Sequence, residues 1–315
     1  MMIARHLNMD TSLRVFCGDH IPEIATKEIS DKYWDITRAL ELVNFPFAFP
    51  GTKIWKAIQA RKIAFKWLVE GAANSKIHVA NGGELTCMLD GWLQTIQDPE
   101  WKGRREFGDR EMAMVLFSFL FASQDAMSSG LIYAFQHLAD HPDIFAKVRE
   151  EQDRVRGDPN NPMTLELLDK MPYLNAVIKE SLRVKPPVLM VIFFFSLPNS
   201  RLLTKLSQVP YKTTRPFPIS EDYTVPANSM VIPSFYNSLQ DPEVYTNPHE
   251  FNPTRWLDPS GSAQTNPRNY LVFGSGPHKC IGIEYAMMNI AVVIAHAVSM
   301  WDWEHVKTPQ SEEIE

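Results

Sequence analysis

The stretch Phe273-Gly274-Ser275-Gly276-Pro277-His278-Lys279-Cys280-Ile281-Gly282 decides the fold class of this chain. It is a glycine-rich loop that delivers one cysteine to the start of an apolar helix. The dipole and free N–H groups of a helix N-terminus stabilise a thiolate. Glycines let the backbone pass close to a flat macrocycle, and Phe273 can shield the sulfur from water. The pattern predicts that Cys280 is a thiolate ligand of iron.

The alternative for a lone cysteine is a buried structural residue beside a turn, but the fixed flanking positions argue against it. These ten residues match F-G-x-G-x-[H/R]-x-C-x-G, the signature of the cytochrome P450 family, and the chain resembles that family from there outward. The resemblance implies that haem b is the cofactor and that Cys280 binds its iron. It also implies a propionate contact for His278 and a haem-binding loop formed by Phe273, Gly274, Gly276, His278, Cys280 and Gly282.

The resemblance implies a mainly α-helical fold with small β segments, equivalent to the C-terminal two-thirds of a cytochrome P450. We therefore expect residues 1–315 to form a single, partial haem-thiolate monooxygenase domain. Relatives begin with a membrane anchor, a sheet-bearing region and further helices, and this chain is expected to start after all of them.

Composition excludes some classes of protein. With 315 residues, a net charge of −6 and 45% apolar residues, the chain can bury a sizeable core and has no basic bias towards nucleic acid. Three cysteines, Cys17, Cys87 and Cys280, cannot form a disulfide framework. Cys17 lies close to His20, but no second ligand pair in the sequence completes a zinc site. Cys17 is therefore predicted to be a core residue.

Apolar runs in the chain are too short or too polar to predict a membrane span. Residues 112–122 and 188–197 reach only about half of the roughly 20 residues required. Residues 283–303 are long enough, but three polar side chains interrupt them, so we predict a buried helix. The chain as given is expected to be soluble, with membrane association only in the full-length relative.

Hydrophobic periodicity and proline punctuation predict the main helices. One long helix is expected over 106–140, with residues 112–122 buried on nearly all sides. Lys147/Glu151 and Glu150/Arg154 are predicted i,i+4 pairs on a solvated face. The other predicted elements are helices over 26–44, from 52 into the 62–70 region, from 142 and from 172 to 186, and short strands within 210–218 and 229–233.

Glu180 and Arg183 are three residues apart and project from one side of a predicted helix. A solvated ion pair of this kind is worth almost nothing. However, the segment 251–256 follows at a distance that resembles the family's second arginine segment. The resemblance implies a buried cluster of Glu180, Arg183 and Arg255 that locks the proline-rich meander beneath the haem.

The segment 121–129 resembles the family's oxygen-activating segment, but Ala126 and Met127 replace both of its usual threonines. Asp125 remains, and an acid in an apolar helix is expensive unless it is paired or functional. We expect Asp125 and Ser128, or alternatively Ser129 or water, to relay protons. The alternative for Asp125 is an ion-pair or helix-kink residue.

The same segment also resembles one branch of the family, the fungal sterol C-22 desaturases, and the likeness extends over most of the chain. It implies that O2 and electrons from NADPH, supplied through NADPH-cytochrome P450 reductase, desaturate a sterol side chain at the endoplasmic reticulum membrane. Residues 187–191 and the helix near Leu120 would line the cavity. The alternatives are another sterol or lipid monooxygenase, or an inactive fragment of a truncated gene model.

Residues 192–209 interrupt the family pattern. Removing these 18 residues would join 190–191 to 210–211 and restore the short connection that relatives have. Our hypothesis is that the stretch derives from a retained short intron.

Overall fold

The computed structural model describes residues 2–39, 47–98, 100, 105–187, 211–231 and 235–308. It divides into two compact units, whose described residues run from 2 to 128 and from 129 to 308. Helices dominate both units, and the strands are only two residues long. The predicted mainly α-helical class with small β segments is therefore confirmed. The segment 192–209 lies outside the described residues.

The first unit has helices and no strand in its described part. Helix α2 packs against α1 and α3, and α3 packs against α4. Fully buried apolar side chains from its five helices, including Leu13, Ile29, Leu68, Leu89 and Leu116, form its core. Its helices are α1 (Met2–Cys17), α2 (Glu23–Arg38), α3 (Lys53–Ala80), α4 (Met88–Gln97) and the first part of α5 (Asp109–Asp140).

Helix α3 begins where the sequence predicted, because the Thr52 hydroxyl caps it by accepting a hydrogen bond from the backbone N–H of Trp55 at 3.2 Å. It runs on to Ala80, beyond the predicted region. Gly71 interrupts the apolar pattern without ending the helix. A Cβ at this position would lie 2.8 Å from Ile21 Cγ2, so the glycine allows that side chain to pack closely.

Helix α5 is a single helix of 32 residues, as predicted. The expectation that residues 112–122 are buried on nearly all sides is wrong. Met112, Leu116 and Leu120 are fully buried, whereas Met114 is 49% exposed and Ala122 also faces solvent. An unbroken apolar run gives no period from which to read a face, so the sequence could not show this exposed stripe.

Among the described residues, two helices, α5 and α10 (Ile283–Met300), are long and apolar enough to cross a membrane, judged by length and composition only. In each, 39% of the most apolar window is buried inside the protein. The core helix of a soluble protein passes the same test, so the observation carries no assignment.

The second unit combines helices with two small antiparallel sheets. β1 pairs with β4, with Tyr211 opposite Val231, and β2 pairs with β3, with Phe217 opposite Val225. Helix α10 packs against α6 and α8. Its elements after α5 are α6 (Pro142–Arg156), α7 (Leu165–Asp169), α8 (Pro172–Val184), β1 (Tyr211–Lys212), β2 (Phe217–Pro218), β3 (Thr224–Val225), β4 (Met230–Val231), α9 (Phe235–Leu239) and α10.

Glu151 corrects one predicted surface pair. Its carboxylate is buried and accepts hydrogen bonds from the backbone N–H groups of Tyr173 and Leu174, at 2.9 and 2.8 Å. It therefore caps the N-terminus of α8 and does not pair with Lys147 on a solvated face. The carboxylate 4.0 Å from Lys147 is that of Asp143.

His137 and His141 lie at the C-terminal end of α5, where both rings pack against Phe251. The His137 ring is nearly parallel to that of Phe251, at a centroid distance of 4.5 Å. Burial, helped by the nearby charges of Lys185 and His141, lowers the pKa of His137 from 6.5 to about 4. The folded protein therefore resists protonation of this ring.

The histidine stack predicts a specific pH dependence. Because the pKa of His137 is lowered, the stability it contributes is complete above the unfolded value of 6.5 and is lost as the pH falls towards about 4. His137→Phe keeps an aromatic ring packed against Phe251, but this ring cannot be protonated. The variant should therefore reduce the acid-induced loss in the free energy of unfolding by up to about 3 kcal/mol. Urea unfolding between pH 7 and pH 4 measures the difference. The exposed control His249→Gln should follow the wild type.

Candidate active site

Cys280 is a free, exposed cysteine on a tight loop. Its backbone N–H donates to the carbonyl of Phe273 at 2.8 Å, which closes the loop upon itself. Gly274 and Gly276 both have a φ of 69°, a conformation that side chains with a Cβ rarely adopt. Helix α10 begins three residues after the cysteine, with Gly282 as its N-cap. The loop thus presents the sulfur to the outside.

The space around this loop is open. A Cβ built on Gly276 would meet no atom within 4 Å, and one on Gly282 would meet only Cys280 Sγ at 3.9 Å. Phe273 is half-buried and packs against the ring of Tyr270. His278 lies in the 3₁₀ turn Gly276–His278. Because glycines carry no side chain, a flat group could therefore approach the backbone closely here.

Glu180 and Arg183 are fully buried on α8. Arg183 donates from Nε to Glu180 Oε2 and from Nη2 to Oε1, both at 2.9 Å, so the pair is bidentate. Arg255 Nε donates to Oε1 at 3.0 Å, and Trp256 Nε1 donates to Oε2 at 2.9 Å. The N–H of Asn252 adds a fifth donor at 3.0 Å. The carboxylate is thus completely satisfied without water.

Further hydrogen bonds from both arginines extend this cluster into the proline-rich meander. Arg183 Nη1 donates to the carbonyl of Leu239 at 2.8 Å, and Arg255 Nη1 donates to that of Thr246 at 3.2 Å. Trp256 packs with Tyr245 in a small buried aromatic cluster. One buried carboxylate on α8 therefore holds the irregular chain between residues 239 and 256.

Asp125 lies on α5 in the first unit and is paired with Arg5 of α1, with Arg5 Nη2 2.6 Å from Asp125 Oδ1. The guanidinium also stacks over the ring of Trp34 at 3.8 Å. Burial raises the pKa of Asp125, and the positive charge of Arg5 offsets part of this rise. A carboxyl with a raised pKa can hold a proton closer to neutral pH than an exposed one.

Ser128 is fully buried, and its Oγ has no hydrogen-bond partner among the described residues. Asp125 lines a cavity of about 20 Å³, which also touches Tyr33 and Gln124. Tyr33 Oη and Gln124 Nε2 are likewise buried without a partner in the described chain. A cavity of this size has room for about one water molecule. Asp125 and Ser128 are three residues apart on α5 and are not hydrogen-bonded to each other.

Comparison with known proteins identifies the family. The family model for Cytochrome P450 matches residues 14–193 and 201–315. The chain belongs to the cytochrome P450 family. Its fold agrees, because the solved structure described as retinoic acid bound cyanobacterial CYP120A1 superimposes with a TM-score of 0.71 at 24% identity, covering 96% of this chain and 61% of that one.

Two relatives indicate which members of the cytochrome P450 family this chain resembles. The chain is 42% identical to the C-22 sterol desaturase of Aspergillus fumigatus over 98% of its own length and 59% of the relative's. It is 40% identical to the cytochrome P450 monooxygenase oblE of Emericella variicolor over 100% of its own length and 59% of the relative's. The chain thus spans about three-fifths of the length of these relatives, and the predicted likeness to fungal C-22 desaturases is confirmed.

The loop residues fit the haem iron that belongs to this family. Cys280 is a free thiol whose sulfur forms no disulfide with another described cysteine, and sulfur is the donor that a haem-thiolate site requires. The open face of Gly276 gives a macrocycle room to lie against the loop. Direct contacts of Phe273 and His278 with haem remain predictions.

The sequence did not predict the ion-pair and hydrogen-bond partners that lie far apart along the chain. Arg5 is 120 residues from Asp125, and nothing in the local pattern links them. Trp256 and the N–H of Asn252 were also not assigned to the Glu180 carboxylate. Trp256 is next to Arg255 in the predicted arginine segment. A buried indole N–H requires an acceptor, and this requirement could have pointed to the Glu180 carboxylate.

The Glu180 cluster predicts a large loss of stability on neutralisation. Glu180→Gln should lower the free energy of unfolding by about 3–5 kcal/mol, because two buried arginines lose their counter-charge. Urea unfolding followed by far-UV circular dichroism measures the loss. Glu166→Gln is the matched control, since Glu166 is an exposed helical acid paired with Lys170, and its midpoint should not move. An unchanged midpoint in Glu180→Gln would contradict the assignment.

Proposed function

We propose that this chain is the haem-thiolate part of a sterol C-22 desaturase. The observation that carries the proposal is the exposed Cys280 on its glycine loop, in a chain 42% identical to a C-22 sterol desaturase. Bound haem would supply the redox chemistry, which is reductive activation of O2 and removal of hydrogen from carbon. The overall reaction would consume one O2, two electrons and two protons. It would remove two hydrogens from adjacent sterol carbons and yield an alkene and two waters.

Cys280 is proposed as the iron ligand, whose thiolate donates electron density to the metal. The closed loop keeps its sulfur in place, because the backbone bond to Phe273 and the glycines at 274 and 276 define the path of the chain. The half-buried Phe273 would shield one side of the sulfur, and His278 would bind a propionate.

Glu180, Arg183 and Arg255 are proposed to act structurally. Their mutual bonds hold the irregular segment that leads towards the ligand loop, and none of their polar atoms needs a further partner. Removing one charge would leave the others buried and uncompensated, which would displace this segment. The cluster therefore supports the cofactor site without taking part in the reaction.

Asp125 and Ser128 are proposed to manage protons. The raised pKa of Asp125 favours a carboxyl that can give up a proton, and Arg5 stabilises the carboxylate that remains. The cavity beside Asp125 has room for a water molecule that could reload it. Ser128 offers a hydroxyl without a hydrogen-bond partner in the described part of the chain, in place of the missing threonines.

The substrate and the partners follow from the branch. A sterol is apolar apart from one hydroxyl, so its site would be lined mainly by apolar side chains. Leu120 was predicted to line it and is fully buried within the first unit; of residues 187–191, only Pro187 lies within the described part. NADPH would supply electrons through a cytochrome P450 reductase, and the endoplasmic reticulum membrane is the proposed location.

A second candidate function is supported by the similarity to the oblE monooxygenase, whose identity of 40% is nearly as high. That candidate is oxidation of another lipid by the same haem-thiolate chemistry. The residues described above serve either reaction, because they concern the iron ligand, its support and proton supply. The product alone separates the two.

Cys280 generates the spectroscopic prediction. The protein reconstituted with haem, reduced and exposed to carbon monoxide should give the red-shifted Soret band of a thiolate-ligated iron. Cys280→Ala should lose this band, because no other described cysteine lies on the loop. Cys87→Ser, at a half-buried cysteine in the first unit, should retain it. A thiolate band that survives in Cys280→Ala would overturn the ligand assignment, and absence of any band in the wild type would favour an inactive fragment.

The reaction itself is tested by its product. The complete gene should be expressed in a fungal strain that lacks its own C-22 desaturase, and sterols should be analysed by gas chromatography and mass spectrometry. A new C-22 double bond is expected. A hydroxylated lipid in its place would favour the second candidate function.

A further inference from the structure

Three potential metal ligands converge in the first unit, away from the cysteine loop along the chain. His20 ends a 3₁₀ turn between α1 and α2, Cys87 is the N-cap residue of α4, and Asp90 lies in the first turn of α4. One ring nitrogen, one sulfur and one carboxylate oxygen from these residues all lie within 4.8 Å of one another. The fold thus supplies the partners for His20 that the linear sequence lacked.

The carboxylate of Asp90 is fully buried and firmly oriented. Oδ1 accepts a hydrogen bond from Ser75 Oγ at 2.5 Å and contacts His20 Nε2 at 2.7 Å. Oδ2 accepts from both the backbone N–H and the hydroxyl of Thr86, each at 3.1 Å. Ser75 and Thr86 would keep the carboxylate in place if His20 moved slightly, as outer groups do in metal sites.

The other two ligands are also held by the backbone. The carbonyl of His20 accepts a hydrogen bond from Asn74 Nδ2 at 2.9 Å, which ties the turn to α3. Cys87 packs against Gly18, which has a φ of 55°. A Cβ at Gly18 would lie only 3.1 Å from Cys87 Cβ, so the close approach of the two segments requires this glycine.

We propose that His20, Cys87 and Asp90 bind one zinc ion, with a solvent molecule as the fourth ligand. Nitrogen, sulfur and carboxylate oxygen are the donors that zinc takes in proteins, whereas a thiolate disfavours magnesium and calcium. His20 and Cys87 are half-buried, so an ion can reach them from solvent. On binding, the Cys87 thiol gives its proton to solvent and His20 binds as neutral imidazole.

The geometry requires only a small adjustment. With zinc bonds of about 2.0–2.2 Å to nitrogen and oxygen in a tetrahedral site, these two ligand atoms stand about 3.3 Å apart. His20 Nε2 and Asp90 Oδ1 are now 2.7 Å apart, so their hydrogen bond must widen to admit the ion. The bound ion would join the turn after α1 to the N-terminus of α4 and would have a structural role, independent of haem.

Zinc binding to the full-length chain tests the proposal. After treatment with a chelator, equilibrium dialysis against zinc should give about one bound ion per chain. X-ray absorption at the zinc edge should show one sulfur at about 2.3 Å, with the other ligands at about 2.0–2.2 Å. Because the measurement is made at the zinc edge, haem iron does not contribute, and the result does not depend on the proposed function.

Matched variants separate this site from adventitious binding. Cys87→Ser and His20→Gln should each weaken zinc binding by at least about 10-fold, as loss of even an outer-shell partner does. The controls are Cys280→Ser, which removes the exposed thiol, and His249→Gln, which removes an exposed imidazole. Both should bind zinc like the wild type, with circular dichroism verifying the fold of every variant.

Three results would overturn the proposal. One is a zinc edge without sulfur, measured on the wild type and so independent of whether any variant folds. Another is equal zinc binding by Cys87→Ser and the wild type. The last is loss of binding in Cys280→Ser, which would place the ion on the exposed thiol. In each case the three residues would form only a hydrogen-bonded network around Asp90.

Discussion

The second unit depends on the buried carboxylate of Glu180, which accepts five hydrogen bonds. A charge removed from water is tolerated only when its lone pairs are filled, and here two guanidinium groups, an indole and a backbone N–H fill them. The donors come from α8 and from the proline-rich segment, which has little regular structure of its own. Electrostatics thus replaces a hydrogen-bonded ladder as the means of holding that segment beside a helix.

The first unit contains a comparable arrangement around Asp90. Burial raises the pKa of this carboxyl, but hydrogen bonds from Ser75, Thr86 and Cys87 together with His20 outweigh it, and the pKa lies well below its ordinary value. Asp90 joins the turn after α1, helix α3 and the start of α4. In both units a short acidic side chain organises segments that apolar packing alone would not orient, because hydrogen bonds are directional and dispersion contacts are not.

The three cysteines show how position decides chemistry. Burial raises the pKa of Cys17 to about 12, which makes that thiol an inert core group, as the sequence predicted. Cys87 is half-buried beside a carboxylate, where burial raises its pKa to about 11, so a metal would have to displace its proton. Cys280 stands exposed on a loop shaped by glycines. Only this last arrangement leaves a sulfur free to bind a large planar cofactor.

The sequence by itself determined the class of fold, the ligand loop and the long helix α5, because glycine positions, helix caps and apolar period are local properties. Only the tertiary structure decided which charges meet. Arg5 reaches Asp125 across 120 residues, Glu151 caps α8 instead of pairing with Lys147, and His20 meets Cys87 and Asp90 from another part of the chain. Such contacts depend on how helices pack, and a side chain carries no record of its distant partner in the residues next to it.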